Sequence, residues 1–132
     1  MSIDPSAQIH RSAVIESGAR IGAGCTVGPF CLIGANVELS ANVTCVSHVV
    51  IKGHTWVGEC TTVFSFSVLG EFPQDLKFTG EATELRSGSR NRIREHVTIN
   101  IATNGGCGLT VIGNDCLFMA ACPVAHYVQL AI

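Results

Sequence analysis

A branched aliphatic residue recurs at every sixth position through the first half of this chain. Of twelve successive positions, eleven carry Ile, Val or Leu, although only 47% of the chain is hydrophobic. A period of six matches neither the 3.6 residues of a helical turn nor the alternation of a strand. It is typical of a hexapeptide β-helix, in which short strands form successive turns of a coil. The positions are Ile3, Ile9, Ile15, Ile21, Val27, Ile33, Leu39, Cys45, Ile51, Val57, Val63 and Leu69.

Three hexads close one triangular coil, so residues that are three hexads apart are expected to stack. The pattern predicts an all-β parallel β-helix of about seven coils, a single domain spanning residues 1–132. Glycine often follows the aliphatic residue, as at Gly22 and Gly28, and we expect it to supply positive φ at a sharp corner. Ser87 occupies an aliphatic position, so we interpret it as a defect in the pattern.

The same repeat explains most of the seven cysteines. Cys25, Cys31, Cys116 and Cys122 each stand four residues after a repeat aliphatic, where the other hexads carry small or β-branched residues. Free cysteine behaves there as a small hydrophobe. The odd count and the absence of a Cys-x-x-Cys pair argue against a disulfide framework.

Two interruptions of the repeat are interpreted as excursion loops, at about residues 71–84 and 102–109. Ile93 and Ile99 resume the original phase after the first, whereas Ile112 and Phe118 restart it in a shifted phase after the second. Loops on a rigid repeat scaffold commonly carry binding and catalytic groups.

The composition excludes several classes of function. A net charge of −2 provides no basic field to attract nucleic acid, and no apolar run approaches the roughly 20 residues of a membrane span. With only 14% charged residues, we expect part of the surface to be covered in an oligomer. We expect a cytoplasmic protein, and the missing terminal cap after Ile132 suggests a piece of a longer one.

Several short motifs, taken in order, resemble one enzyme family, the acyl-[acyl-carrier-protein]–UDP-N-acetylglucosamine O-acyltransferases, which begin lipid A biosynthesis. The resemblance covers essentially the whole chain and corresponds to the first half of the family's chain. Many transferases share the hexads, whereas the Gln-Asp-Leu-Lys and Asn-Arg-Ile-Arg-Glu motifs are far more specific. The motifs are Gly28-Pro29-Phe30-Cys31, Ser47-His48-Val49-Val50-Ile51, Gly53-His54-Thr55, Pro73-Gln74-Asp75-Leu76-Lys77-Phe78, Asn91-Arg92-Ile93-Arg94-Glu95, Val97-Thr98-Ile99 and Ala125-His126.

This resemblance implies a left-handed β-helix that forms homotrimers with active sites between subunits. A 3-hydroxyacyl chain would move from an acyl-carrier-protein thioester to the 3-hydroxyl of UDP-N-acetylglucosamine, with no metal or organic cofactor. His126 matches the catalytic base, and an ordinary histidine pKa of about 6.5 suits that role near pH 7. Asp75 matches a loop carboxylate that contacts the sugar, Lys77 matches a cation of the same cleft, and Asn100 stands where the family has a cleft histidine.

The chain departs from the family at three positions of the cleft. Pro123 replaces the first histidine of a His-x-x-His stretch, Tyr127 follows the base in place of an acidic or polar residue, and Asn100 replaces the cleft histidine. In the family, the oxyanion-hole backbone, the uracil contacts and the gauge of acyl-chain length lie beyond the position of Ile132. One oxyanion donor is worth roughly 10²- to 10³-fold in rate, so we expect this chain alone to be nearly inactive.

Three alternatives remain. The first is a non-catalytic, truncated or decayed relative that serves only as a folded, trimer-forming β-helix. The second is a hexapeptide-repeat zinc enzyme, which needs three converging ligands, whereas no two histidines here are separated by the three hexads that would stack them. The third is an N-acyltransferase using coenzyme A, for which the loop motif gives no support.

Overall fold

The chain coils into a left-handed parallel β-helix of short strands, seen in a computed structural model that describes residues 2–71, 84–100 and 109–120. The backbone of strands 123–124 and 129–130 is described as well, and only the backbone of Asn100. The strands are β1 (Ser2–Ile3), β2 (Gln8–Ile9), β3 (Val14–Ile15), β4 (Arg20–Ile21), β5 (Thr26–Val27), β6 (Leu32–Ile33), β7 (Val37–Leu39), β8 (Thr44–Cys45), β9 (Val50–Ile51), β10 (His54–Val57), β11 (Thr62–Val63), β12 (Val68–Glu71), β13 (Glu84–Ser87), β14 (Arg92–Ile93), β15 (Thr98–Asn100), β16 (Leu109–Ile112), β17 (Leu117–Phe118), β18 (Pro123–Val124) and β19 (Gln129–Leu130).

The strands form three parallel sheets, which are the three sides of the coil. Sheet A contains every third strand from β1 to β19, sheet B those from β2 to β17, and sheet C those from β3 to β18. The chain therefore passes from A to B to C within each coil, and the corners are named A/B, B/C and C/A. β1–β18 make six coils and β19 begins a seventh, which confirms the predicted architecture.

The stacking of residues three hexads apart is confirmed through the first four coils. Ile3 pairs with Ile21, and Cys45 lies between Val27 and Val63 in sheet B. Across the two interruptions the offset grows, because Val63 pairs with Ile93 and Ile93 pairs with Phe118. The first of these offsets is five hexads, and the second is four hexads and one further position. The first insertion is thus two whole hexads, which preserves the phase, whereas the second is one hexad and one position, which shifts it.

The core is the interior of the coil, and the hexad aliphatics fill it from all three sides. Ile33, Leu39, Ile51, Leu69 and Ile93 are at most 1% exposed. The position four residues after the aliphatic, where the hexads carry small or β-branched residues, also faces the interior. Its fully buried members in the second to fourth coils are Ala19, Cys25, Cys31, Val37, Val43, Val49, Thr55, Thr61 and Ser67.

The interpretation of Ser87 as a defect is wrong. Ser87 is buried in sheet A, and its Oγ accepts a hydrogen bond from Asn91 Nδ2 at 3.1 Å. Asn91 is itself fully buried, four residues further on. The polar residue thus pairs with a second polar residue inside the coil, as buried polar groups require.

The predicted reason for the glycines after the aliphatics is also wrong for most of them. Among those glycines only Gly70 has a positive φ, of 78°. At Gly28 the cause is space, because an added Cβ would lie 1.8 Å from the carbonyl oxygen of Val46 in the coil above. The positive φ angles fall two positions later and include non-glycine residues such as Phe30 (58°) and His48 (52°).

Candidate functional site

The C/A corner is where both interruptions of the coil begin. Strand β12 ends at Glu71 and sheet A resumes with β13 at Glu84, while β15 ends at Asn100 and β16 begins at Leu109. Glu71, Glu84 and Leu109, which lie at the edges of the predicted loops, belong to strands. Successive strands of sheet C stack directly, so the roots of the two interruptions lie one above the other.

Of the four predicted site residues, the structure describes only the backbone of Asn100. Asn100 is the last residue of β15 and pairs in register with Glu71 of the coil below. Asp75, Lys77 and His126 lie outside the described residues. In the sequence, Asp75 and Lys77 follow β12, and His126 stands two positions after the end of β18. Strands β12, β15 and β18 belong to the same sheet.

An ion pair at this corner was not anticipated from the sequence. Lys52 Nζ lies 3.3 Å and 3.5 Å from the two carboxylate oxygens of Glu71, and both side chains are partly exposed. Lys52 also accepts, through its carbonyl oxygen, a hydrogen bond from Thr55 Oγ1 at 2.6 Å. The sequence signal for Glu71 was its place at the end of the hexad rhythm, three residues before the start of the Gln-Asp-Leu-Lys motif.

A β-bulge at Gly70 sets the direction of the Glu71 side chain. The register between β12 and β15 shifts between Leu69 and Glu71, and the intervening Gly70 has the positive φ. An added Cβ at Gly70 would lie 2.0 Å from the carbonyl oxygen of Lys52, so glycine is required by space as well. Bulges re-aim side chains and are frequent next to active sites.

The outer surfaces of the three sheets differ in chemistry. Sheet A carries charged and polar contacts, such as the Arg20–Glu38 ion pair at 3.5 Å and the Arg86 guanidinium 4.8 Å from the ring centre of Trp56. By contrast, six of the seven exposed large apolar residues among those described lie on sheets B and C or their shared corner. They are Val14, Phe30, Val46, Phe66, Leu117 and Met119.

The B/C corner carries a continuous stack of four rings, which we call the aromatic ladder: Phe30, His48, Phe66 and His96. Successive ring centroids are 5.1, 4.9 and 5.2 Å apart, and the interplanar angles fall from 33° to 12°. All four residues have φ between 52° and 65°. The shared left-handed backbone and the regular coil spacing together bring the rings face to face.

The cysteines and histidines of the described residues form no metal centre. No group of three or more His, Cys, Asp or Glu side chains in these ranges is arranged to hold an ion. His48 belongs to the B/C corner, whereas His54 begins β10 in sheet A. The five cysteines in the same ranges, Cys25, Cys31, Cys45, Cys60 and Cys116, are free thiols.

No helix long and apolar enough to cross a membrane occurs in the part of the chain that the structure describes.

Comparison with known proteins agrees with the repeat and with the motifs. Residues 12–46 match the model of the bacterial transferase hexapeptide (six repeats). Over 68 residues, 52% of this chain, the sequence is 62% identical to the acyl-[acyl-carrier-protein]–UDP-N-acetylglucosamine O-acyltransferase of Paracoccus denitrificans. The sequence is therefore similar to those of the UDP-N-acetylglucosamine O-acyltransferases.

Solved structures extend the similarity to this family along most of the chain. The Moraxella catarrhalis enzyme is 40% identical over 96% of this chain, with a TM-score of 0.76. The Campylobacter jejuni enzyme is 30% identical over 90% of this chain, with a TM-score of 0.79. The chain spans 47% and 46% of those two structures and its match covers 26% of the Paracoccus enzyme, so it corresponds to about half of an acyltransferase of this family.

Proposed function

We propose that the protein carrying this chain is an acyltransferase of the first step of lipid A biosynthesis. It would transfer a 3-hydroxyacyl chain from acyl-carrier protein to the 3-hydroxyl of UDP-N-acetylglucosamine. The 62% identity to an enzyme of that name carries the proposal. The convergence of both interruptions at the C/A corner, beside the bulge at Gly70, supports a site there.

In this proposal His126 is the general base. Its neutral imidazole takes the proton of the sugar 3-hydroxyl while that oxygen attacks the thioester carbonyl carbon. The tetrahedral intermediate then collapses, the C–S bond breaks, and the imidazolium returns the proton to the leaving thiolate of the carrier protein. Asp75 and Lys77 would bind the sugar nucleotide, and Asn100 would line the cleft. No cofactor is required for these steps, so a chelator should leave the rate unchanged.

We also propose a cytoplasmic homotrimer. The apolar residues on the sheet B and C side, together with the exposed rings of the aromatic ladder, support burial of that side between subunits. The charged outer face of sheet A is suited to remain in solvent. Sedimentation equilibrium of the protein tests the stoichiometry, and a species of one-subunit mass at micromolar concentration would contradict it.

The test of activity is acyl transfer to UDP-N-acetylglucosamine from 3-hydroxyacyl carrier protein, measured for the wild type, His126→Ala and the matched control His10→Ala. His10 lies at the edge of the first coil, and its imidazole bonds to the neighbouring Ser12. We expect His126→Ala to lower kcat about 10²- to 10⁴-fold and His10→Ala to have no effect. Asp75→Asn should mainly raise KM. An unchanged rate in His126→Ala would remove His126 as the base.

A second candidate is the non-catalytic relative that only folds and assembles. Pro123, which begins β18 opposite Thr98 and replaces the first histidine of the family's His-x-x-His stretch, favours it. This candidate predicts a folded trimer with neither transfer nor calorimetric binding of UDP-N-acetylglucosamine. Measurable transfer that is lost in His126→Ala excludes it.

A further inference from the structure

Among the described residues, buried polar side chains first appear at the A/B and B/C corners in the fourth coil. The A/B corner carries Ala7, Cys25 and Val43 in the first three coils, and then Thr61 and Asn91. The B/C corner carries Ala13, Cys31 and Val49, and then Ser67. Thr61, Ser67 and Asn91 therefore stand directly beneath the coils whose pairing offset departs from three hexads.

The two hydroxyl groups make the same pair of contacts with the coil above. Thr61 Oγ1 accepts from the backbone N–H of Asn91 at 3.4 Å and donates to the carbonyl oxygen of Gly88 at 3.2 Å. Ser67 Oγ accepts from the N–H of Val97 at 3.1 Å and donates to the carbonyl oxygen of Arg94 at 2.5 Å. Each hydroxyl thus satisfies one buried N–H and one carbonyl across the first interruption.

Asn91 repeats this arrangement across the second interruption. Its Nδ2 donates to the carbonyl oxygen of Gly113 at 2.9 Å, and its Oδ1 accepts from the N–H of Cys116 at 2.7 Å. Nδ2 also lies within hydrogen-bonding distance of Ser87 Oγ and of the carbonyl oxygen of Gly88 in its own coil. We call Thr61, Ser67 and Asn91 the corner set.

Where an insertion separates two coils, the hexad pattern alone does not determine the register in which they pair. Between uninterrupted coils, chain continuity fixes the offset at three hexads. An insertion removes that constraint, and because the aliphatics repeat at every sixth position, a coil displaced by one hexad still points its aliphatics inward. A longer connection costs little, since doubling a loop's length adds only about 0.6 kcal/mol of closure entropy. Burial of the aliphatics alone therefore does not specify which sheet each strand of the next coil joins.

We propose that the corner set determines the register of the two coils that follow the interruptions. A slip by one hexad moves Ser67 away from Val97 and Arg94, whereas Thr61 meets the equivalent backbone groups one hexad further on. The N–H of Asn91 and the carbonyl of Gly88 move to the C/A corner above Thr55, whose hydroxyl already donates to Lys52. Buried polar groups are then left unpaired in a dry core. Each such group costs about 1–3 kcal/mol. A single buried polar residue fixes the register of a coiled coil by the same principle. This role is independent of any catalytic activity.

Disulfide trapping in the intact chain tests the proposal. Thr62 lies opposite Arg92 in the native register, and a slip by one hexad brings Thr98 opposite Thr62. Paired residues of adjacent strands lie about 5 Å apart, within the range of a disulfide. In a Cys60→Ser background, Thr62→Cys with Arg92→Cys reports the native register, and Thr62→Cys with Thr98→Cys reports the slip. Both are quantified by mass spectrometry after mild oxidation.

With the corner set intact, we expect only the native disulfide. Combining Thr61→Val, Ser67→Ala and Asn91→Leu should raise the yield of the slip disulfide at least about tenfold, which corresponds to a loss of about 1.4 kcal/mol of discrimination. The single change Ser67→Ala, which nearly preserves side-chain volume, is read in the same way and decides the question if the triple variant does not fold. Asn91 spans the second interruption, where Arg92→Cys with Leu117→Cys reports the native register. Asn91→Leu alone should lower the yield of that disulfide.

Matched controls separate register from packing. Val43 and Val49 lie directly beneath Thr61 and Ser67 and are fully buried, so Val43→Ala and Val49→Ala remove core volume without removing a polar contact. We expect no slip disulfide in either control. An equal slip in these controls, or a folded variant lacking the corner set that forms only the native disulfide, would overturn the proposal.

Discussion

The imidazole of His48 stacks on the phenyl ring of Phe66, with ring centroids 4.9 Å apart and planes inclined by 26°. On its other side the same imidazole contacts Phe30, at 5.1 Å. Each aromatic pair is worth about 0.5–1.5 kcal/mol. We therefore expect His48→Ala to lower the free energy of unfolding by about 1–3 kcal/mol in urea denaturation. His48→Phe should retain most of the stability, and an equal loss in both variants would argue that stacking contributes little.

Gly28 and Gly34 differ in how much room their surroundings leave for a side chain, so alanine substitutions at the two positions can be compared. A Cβ at Gly28 would lie 1.8 Å from the Val46 carbonyl oxygen, whereas a Cβ at Gly34 would lie 3.3 Å from that of Ile51. Neither glycine has a positive φ, so the backbone penalty is the same. We expect Gly28→Ala to destabilise the fold by about 3 kcal/mol or more and Gly34→Ala to stay within about 1 kcal/mol of wild type. Similar unfolding midpoints for the two variants would contradict this explanation.

Burial raises the pKa of the thiols of Cys25, Cys31 and Cys45, so they stay protonated in the folded chain. In the unfolded chain they ionise near pH 8.5. The unfolded state then binds fewer protons than the folded state, so stability falls as the pH rises above about 8.5.

This prediction is checked by urea unfolding between pH 7 and pH 10. Each protonated thiol contributes a slope of up to about 1.4 kcal/mol per pH unit. Cys45→Val, which places an ordinary hexad aliphatic in the column, should make the alkaline slope shallower. Cys60 is exposed, so Cys60→Ser should leave the slope as it is. A Cys45→Val variant with the wild-type slope would count against the prediction.

Arg90 and Asp115 form a bidentate ion pair between adjacent coils, with N–O distances of 2.7 and 3.0 Å. Hydrogen bonding from Arg90 lowers the pKa of the Asp115 carboxyl. The contribution of the ion pair to stability is therefore present at pH values above the ordinary aspartate pKa. It is lost as the pH falls through the lowered pKa of Asp115. Because both side chains are exposed, we expect a small effect on stability.

The direct measurement for this pair is a carbon NMR titration of the Asp115 carboxyl. Arg90→Gln should raise its pKa toward the ordinary value. Arg20→Gln, which removes a cation paired with Glu38 in a different coil, should not change it. An Asp115 titration that does not respond to Arg90→Gln would exclude the ion pair as the cause.

The hexad rhythm predicted the columns of the fold correctly because burial on one side of each strand is a periodic constraint. Cys45 was placed in its column with Val27 and Val63 for that reason. The same rhythm gave the wrong cause for Gly28, since a period shows that a residue must be small without showing whether φ or space demands it. Ser87 was misinterpreted because its partner is Asn91. Asn91 bonds groups of its own coil and of the next coil, and a six-residue pattern does not reveal such contacts.

The candidate site was predictable only through resemblance. Asp75, Lys77 and His126 came from family motifs, and they lie outside the described residues, so their roles stay predictions. The pairing of Lys52 with Glu71 could not be foreseen, because it joins two coils and depends on the bulge at Gly70. Periodicity specified the scaffold, whereas the chemistry depends on residues that interrupt it.

The parallel pairing of each coil with its immediate predecessor has a consequence for biogenesis. Every strand from β4 onward docks on a strand that the ribosome has already synthesised, three to five hexads earlier in the chain. Residues 2–71 form four coils, so a template of four coils precedes the first interruption in the order of synthesis. Vectorial synthesis thus favours growth of the coil in one direction, with nascent coils added to a finished end.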